Sequence, residues 1–155
     1  LAALGKAADY LQLMTYDQHG PWGEPGPISA LDWAKECTAY SASLVDPTKL
    51  LIGLPAYAYD WDTTDPDAEV GELKWTDITA LLARPGAEAE RDASADSPYL
   101  TYTENQHEHV VWYEDAASLR AKAALVSQYK LGGLSVWALG QEDESFWKAV
   151  TGGLK

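Results

Sequence analysis

Three mostly apolar runs of strand length constrain this chain more than anything else in it: residues 10–16 (YLQLMTY), 49–55 (KLLIGLP) and 134–139 (LSVWAL). Strands that read apolar on both faces must be covered on both faces, as in a parallel sheet wrapped in helices. The segments between them fit that demand. Residues 18–27 (QHGPWGEPGP) hold three Gly and three Pro, too many breakers for a helix or strand interior, and predict a structured loop. Ser29 then offers an N-cap. Leu31, Ala34, Thr38, Ala42 and Val45 recur at three- and four-residue spacing to about Asp46, with Pro47 beyond, which predicts an amphipathic helix. Strand, loop, helix, strand is a βαβ unit. Near the other end, residues 115–130 predict a helix stopped by Gly132 and Gly133, and residues 144–154 predict a closing helix ended by Gly152 and Gly153.

Residues 56–114 break the alternation. A short helix is expected within 74–84, antiparallel strands at 88–92, 99–104 and 107–114, and an exposed acidic loop at 60–69 (DWDTTDPDAE). The expected organisation is therefore α/β, with β/α units over 1–55, an α+β insertion over 56–114 and a last helix-strand-helix over 115–155. Residues 1–8 read as the tail of a helix with no initiator Met, so something is expected to precede them. Asp and Glu outnumber Lys and Arg by 24 to 11, a formal charge of −13, and such a polyanion repels phosphate backbones, which argues against nucleic acid as a partner. No apolar run approaches the roughly 18 residues of a membrane span, and the single Cys37 closes no intrachain disulfide. Seven Trp and nine Tyr stand against one Phe, and flat rings with polar tips suit sugar faces as well as cores.

Ligands meet parallel sheets at the C-terminal ends of the strands. Three such ends stand out: Met14, Tyr16 and Asp17; Pro55 and Tyr57; and Trp137. The strings QLMTYDQHGPWGEPGPISALDW, KLLIGLPAYAYDW, VVWYEDAASLRAK and GGLSVWALGQEDESFW, in this order, resemble the second half of a glycoside hydrolase family 18 domain. That family contains chitinases and related N-acetylglucosaminidases, including spore-cortex and peptidoglycan-directed members. The resemblance implies the C-terminal part of a TIM (β/α)8 barrel, strands six to eight, with an α+β insertion domain walling the substrate cleft. It implies retaining hydrolysis assisted by the substrate's own 2-acetamido oxygen, which sets this family apart from the ordinary two-carboxylate scheme.

On that resemblance Tyr16 donates a hydrogen bond to the acetamido oxygen, Asp17 accepts from the sugar or its acetamido group, and Trp137 forms the apolar floor. Met14, Tyr57, Trp22 and Trp61 complete the expected substrate contacts. The family's acid lies in a D-x-x-D-x-D-x-E motif at the end of the fourth strand, and this chain is expected to lack it and to be inactive alone. The expected partners are an N-acetylglucosamine-containing polysaccharide and either a missing N-terminal half of the barrel or a second copy. No cofactor is implied, and secretion or the cell envelope is the implied location. The alternative is a noncatalytic, lectin-like relative, since a barrel can keep its cleft and lose its acid.

Other letters have plainer explanations. His107 and His109 share one face of an expected edge strand without an evident third ligand, so no metal is expected there. Asp65, Asp67 and Glu69 alternate as in a calcium loop but lack its glycine. Trp75 and Trp112 could also stack on sugar, although Trp22 and Trp61 lie nearest the expected cleft. Cys37 has no adjacent His and reads as structural.

Overall fold

The computed structural model describes residues 1–154. In chain order the elements are α1 (Ala2–Ala7), β1 (Leu11–Leu13), α2 (Leu31–Ala42), β2 (Leu50–Pro55), β3 (Tyr57–Asp62), β4 (Gly71–Lys74), α3 (Trp75–Leu82), β5 (Glu88–Asp92), β6 (Ser97–Glu104), β7 (His107–Trp112), α4 (Ala116–Ala123), α5 (Leu125–Tyr129), β8 (Gly133–Trp137) and α6 (Glu144–Gly153). They form two sheets. One is parallel, in the order β1-β2-β8, and the other is antiparallel, in the order β4-β3-β7-β6-β5. The register aligns Leu13 with Ile52 and Pro55 with Trp137, so the C-terminal ends of the parallel strands lie side by side.

The helices cover one face of the parallel sheet. Leu50 and Ile52 pack with Ala34, Leu125 and Leu131, while Leu54 packs with Leu119, Phe146 and Val150. Leu50, Ile52 and Leu54 are fully buried, and each contributes roughly 1.5–3 kcal/mol relative to exposure. On the other face Gln12 and Trp137 are exposed. Ala56 joins the two sheets: its N–H donates to the Trp137 carbonyl at 2.7 Å and its carbonyl accepts from the Trp75 N–H at 2.9 Å.

Several local expectations need correction. The first strand is three residues long, because Thr15 leaves the ladder: its hydroxyl donates to the Gly53 carbonyl at 2.7 Å and accepts from the Gly53 N–H at 3.1 Å. Ser29 does not cap α2. It is buried and donates to the Thr15 carbonyl at 2.7 Å, tying the loop to the strand end, and the helix starts one residue past Ala30 with no side-chain cap. That helix ends at Ala42, and Asp46 instead caps a 3-10 turn over Pro47–Lys49.

The 115–130 helix is two helices meeting at Ala124, and its stop is Lys130 in the left-handed region (φ 56°), not Gly132 or Gly133. Gly152 and Gly153 lie inside α6, where a Cβ on Gly153 would meet the Arg120 carbonyl at 2.4 Å, so the glycine there permits close helix approach. Asp60, Trp61 and Asp62 belong to β3, not to an exposed loop, and β4 is a strand that the letters did not suggest. β7 lies between β3 and β6 and is not an edge.

Candidate active site

The site grows from the end of β1. Asp17 takes a left-handed backbone conformation (φ 58°), which turns the chain out of the strand and presents the carboxylate to the start of β3. Asp tolerates that region better than most residues because its short polar side chain bonds locally. Its Oδ1 accepts two phenol protons, from Tyr57 at 2.5 Å and from Tyr59 at 3.1 Å. Charge-assisted bonds of this kind are the stronger ones, and both phenols are nearly buried.

Burial pushes the Tyr57 hydroxyl far above its ordinary range, and the Asp17 bond and charge push it further; Tyr59 moves the same way for the same reasons. Both therefore stay protonated and remain donors. Oδ2 of Asp17 has no protein partner among the described residues, which leaves it for a donor outside the protein.

Tyr16 lies beside this pair, its ring 6.3 Å from that of Tyr57 at 78°. Burial raises its phenol too, with the Asp17 charge adding to the shift and the Gln12 bond opposing it. The Gln12 amide donates to the Tyr16 oxygen at 3.3 Å, so the phenol proton itself points elsewhere. A Cβ on Gly53 would come within 2.7 Å of the Tyr16 ring, so glycine at that point of β2 gives the ring its space. Trp137, 56% exposed, stands at the end of β8, and Met14, 72% exposed, two residues before Tyr16. The Trp137–Ala138 peptide is cis.

From Asp17 an edge-to-face series runs outward along β3. Tyr57 and Tyr59 are 5.4 Å apart, and Tyr59 and Trp61 5.8 Å. Trp61 is only 5% exposed, and its indole N–H donates to the Gly23 carbonyl at 3.1 Å, so it braces the 18–27 loop and offers little open ring face. Trp22, in that loop, is 68% exposed. Both border a cavity of about 430 Å³ between the loop and the end of β3.

The structure thus brings Tyr16, Asp17 and Tyr57 together. The letters had missed Tyr59 and Gln12. The period-two alternation of YAYDW puts Tyr57, Tyr59 and Trp61 on one strand face, a signal that assigning residues 60–69 to a loop had hidden.

The pattern D-x-x-D-x-D-x-E, expected to be absent, does occur once, as Asp62, Asp65, Asp67 and Glu69. It lies in the turn after antiparallel β3. Asp62 Oδ1 accepts from the Thr64 and Asp65 N–H groups, Asp65 Oδ1 from that of Asp67, and Glu69 is exposed. It is therefore not at the end of a parallel strand.

The other acidic letters also have structural work. His107 Nδ1 meets Asp62 Oδ2 at 2.5 Å, and His109 Nδ1 meets Asp60 Oδ1 at 3.0 Å, with Tyr102 donating to Asp60 Oδ2 at 2.5 Å. No group of three or more His, Cys, Asp or Glu converges as a metal set among the described residues. Asp143 caps α6 and accepts the Trp75 indole N–H at 3.0 Å; Glu142 accepts two backbone N–H groups of its own loop. Trp112 packs against Tyr99 at 4.9 Å.

The family model for glycosyl hydrolases family 18 matches residues 1–142. The chain belongs to this family. Among family 18 relatives, the uncharacterized glycosylase YvbX of Bacillus subtilis (strain 168) is 40% identical over 155 residues, covering 99% of this chain and 45% of the relative. The cortical fragment-lytic enzyme of Bacillus anthracis is 30% identical over 153 residues, covering 96% of this chain and 35% of the relative. A crystal structure of a chitinase from Chromobacterium violaceum ATCC 12472 superposes with a TM-score of 0.92 at 45% identity, covering 99% of this chain and 48% of that one. The chain therefore spans between about a third and a half of the proteins it is similar to. Among the described residues no helix is long and apolar enough to cross a membrane.

Proposed function

We propose that this chain is the C-terminal part of the catalytic domain of a glycosidase that cleaves β-linked N-acetylglucosamine polymers by substrate-assisted retaining hydrolysis. In this reading β1, β2 and β8 are strands six to eight of a (β/α)8 barrel. Residues 1–55 are its β/α units, 56–114 an insertion that walls the cleft, and 115–155 its last helix-strand-helix. The acid Glu comes from a half of the barrel outside these residues. The observation that carries the reading is the Asp17 carboxylate, fixed through one oxygen by Tyr57 and Tyr59 and with the other oxygen unclaimed among the described residues, on the same sheet edge of strand ends that carries the exposed Trp137.

The division of labour follows from hydrogen-bonding capacity. The acetamido group has one N–H and one carbonyl oxygen, and here it meets one acceptor and one donor. Asp17 Oδ2 accepts the N–H, and Tyr16, whose lone pair already takes the Gln12 amide, turns its proton to the carbonyl oxygen. Holding that oxygen against the anomeric carbon converts the attack into an oriented intramolecular step, and a donor that follows the oxygen into the transition state raises turnover. Trp137 supplies the apolar floor, with Met14 and Tyr57 at its margin, and Trp22 and Trp61 border the next part of the cleft. The chitinase and the cortical fragment-lytic enzyme among the similar proteins support this substrate class.

The test is kinetic, in the full-length protein with chitin oligosaccharides. Tyr16→Phe should lower kcat by about 10–100-fold with little change in KM, and Trp137→Ala should impair both. A Tyr16→Phe effect confined to KM would remove the transition-state role from the hydroxyl. Full-length protein that binds these oligosaccharides and releases no reducing ends would favour a lectin-like relative.

A further inference from the structure

The cavity between the 18–27 loop and the end of β3 has walls of one charge sign. Glu24, Asp62 and Asp65 line it with Pro21, Trp22 and Trp61, and no Lys, Arg or His is among its lining residues. Asp62 is engaged by His107, whereas Glu24 and Asp65 are exposed and pair with no cation among the described residues. Lys74 lies opposite Tyr57 in the strand register, at the other end of the β3 aromatic series.

Trp61 lies two residues beyond Tyr59, the nearer of the two phenols that hold Asp17, about 7 Å along β3, so the cavity takes the sugar units that follow the one held at Asp17. The exposed Trp22 ring gives them an apolar surface, but a ring face does not discriminate among amino sugars. The carboxylates do.

We infer that this cavity selects its sugar units by charge: it accepts neutral and, preferentially, cationic amino-sugar units, as in partly de-N-acetylated chitin, and disfavours units that carry a carboxylate. The inference rests on the glycosidase reading above. It names Glu24 and Asp65 as the residues that set the preference. An ammonium within reach of an exposed carboxylate gains modestly and a carboxylate loses by a similar amount, so two unpaired carboxylates give a discrimination of about threefold to tenfold in each direction. The formal charge of −13 adds a longer-range contribution of the same sign.

The experiment uses the full-length protein and three oligosaccharides of equal length: fully N-acetylated chitin, its partly de-N-acetylated counterpart and a glycan containing N-acetylmuramic acid. Affinity is read by titration calorimetry and tryptophan fluorescence, which need no turnover. At about 0.01 M salt the de-N-acetylated oligomer should bind about threefold to tenfold more tightly than the neutral one, and the muramic glycan more weakly by a similar factor. At about 1 M salt, where the screening length falls to about 3 Å, the differences should collapse. Glu24→Gln with Asp65→Asn should move the cationic-to-neutral affinity ratio toward one at low salt. Equal or reversed affinities at low salt, or a ratio untouched by the double substitution, would overturn the charge selection while leaving the glycosidase reading in place. Failure of the neutral oligomer to bind or be cleaved would overturn both.

Discussion

At the scale of single residues, the cleft depends on which hydrogen-bond capacities are already spent. Asp17 presents one free oxygen because Tyr57 and Tyr59 occupy the other, and Tyr16 is oriented because Gln12 uses its lone pair. A second polar pair is wholly structural. The Lys122 ammonium donates to both oxygens of Glu114, at 2.6 and 2.7 Å, with both side chains 1% exposed. This pair links the end of the antiparallel sheet to α4 in a place where water cannot compensate a lone charge. Lys122→Met should therefore cost about 3–5 kcal/mol in urea unfolding, because it strands a buried carboxylate. Adding Glu114→Gln should recover most of that loss; a mild effect of Lys122→Met alone would show that Glu114 finds another partner.

Elements carry the next level of argument, since the same letters mean different things in different elements. Asp62, Asp65, Asp67 and Glu69 spell the family's acid motif, yet a general acid must reach the leaving oxygen, and these residues close a turn beyond β3. Glu69→Gln in the full-length protein should leave the rate of chitin-oligosaccharide hydrolysis within about twofold of the parent. A drop of the 10²–10⁴-fold expected for loss of a general acid would reassign the proton donor to this loop. β3 shows the reverse case. Its alternation sends Tyr57, Tyr59 and Trp61 to one face and Asp60 and Asp62 to the other, where His109 and His107 receive them. One strand thus serves the Asp17 carboxylate on one side and cross-links the antiparallel sheet on the other.

For the whole molecule, the decisive feature is that β1 and β8 are the outer strands of a three-stranded parallel sheet whose face away from the helices carries exposed side chains. Parallel edges with unpaired backbone groups invite further strands. The antiparallel sheet is built from sequence-local pairings over residues 57–112 and makes no such demand. The 155 residues by themselves should therefore release no reducing ends from chitin oligomers. Light scattering at several concentrations should show association, or a copurifying segment that pairs with these edges; a strict monomer that unfolds cooperatively would show that this sheet closes its own edges.

The sequence alone determined the parallel β/α framework, because continuous apolar runs flanked by helical periods admit few other arrangements, and it pointed to Tyr16, Asp17, Tyr57 and Trp137 at strand ends. It could not reveal that Ser29 ties a loop to Thr15 rather than capping a helix, since a hydroxyl two residues before a helix looks like a cap locally and its true partner lies fourteen residues back. Nor could it show that Tyr59 shares the Asp17 oxygen, that Trp61 is a brace and Trp22 an open face, or that His107 and His109 answer Asp62 and Asp60. Those pairings join residues about 40 or more positions apart in the chain. Local propensity and periodicity fix which face a side chain takes, and only the packed tertiary structure decides what stands opposite it.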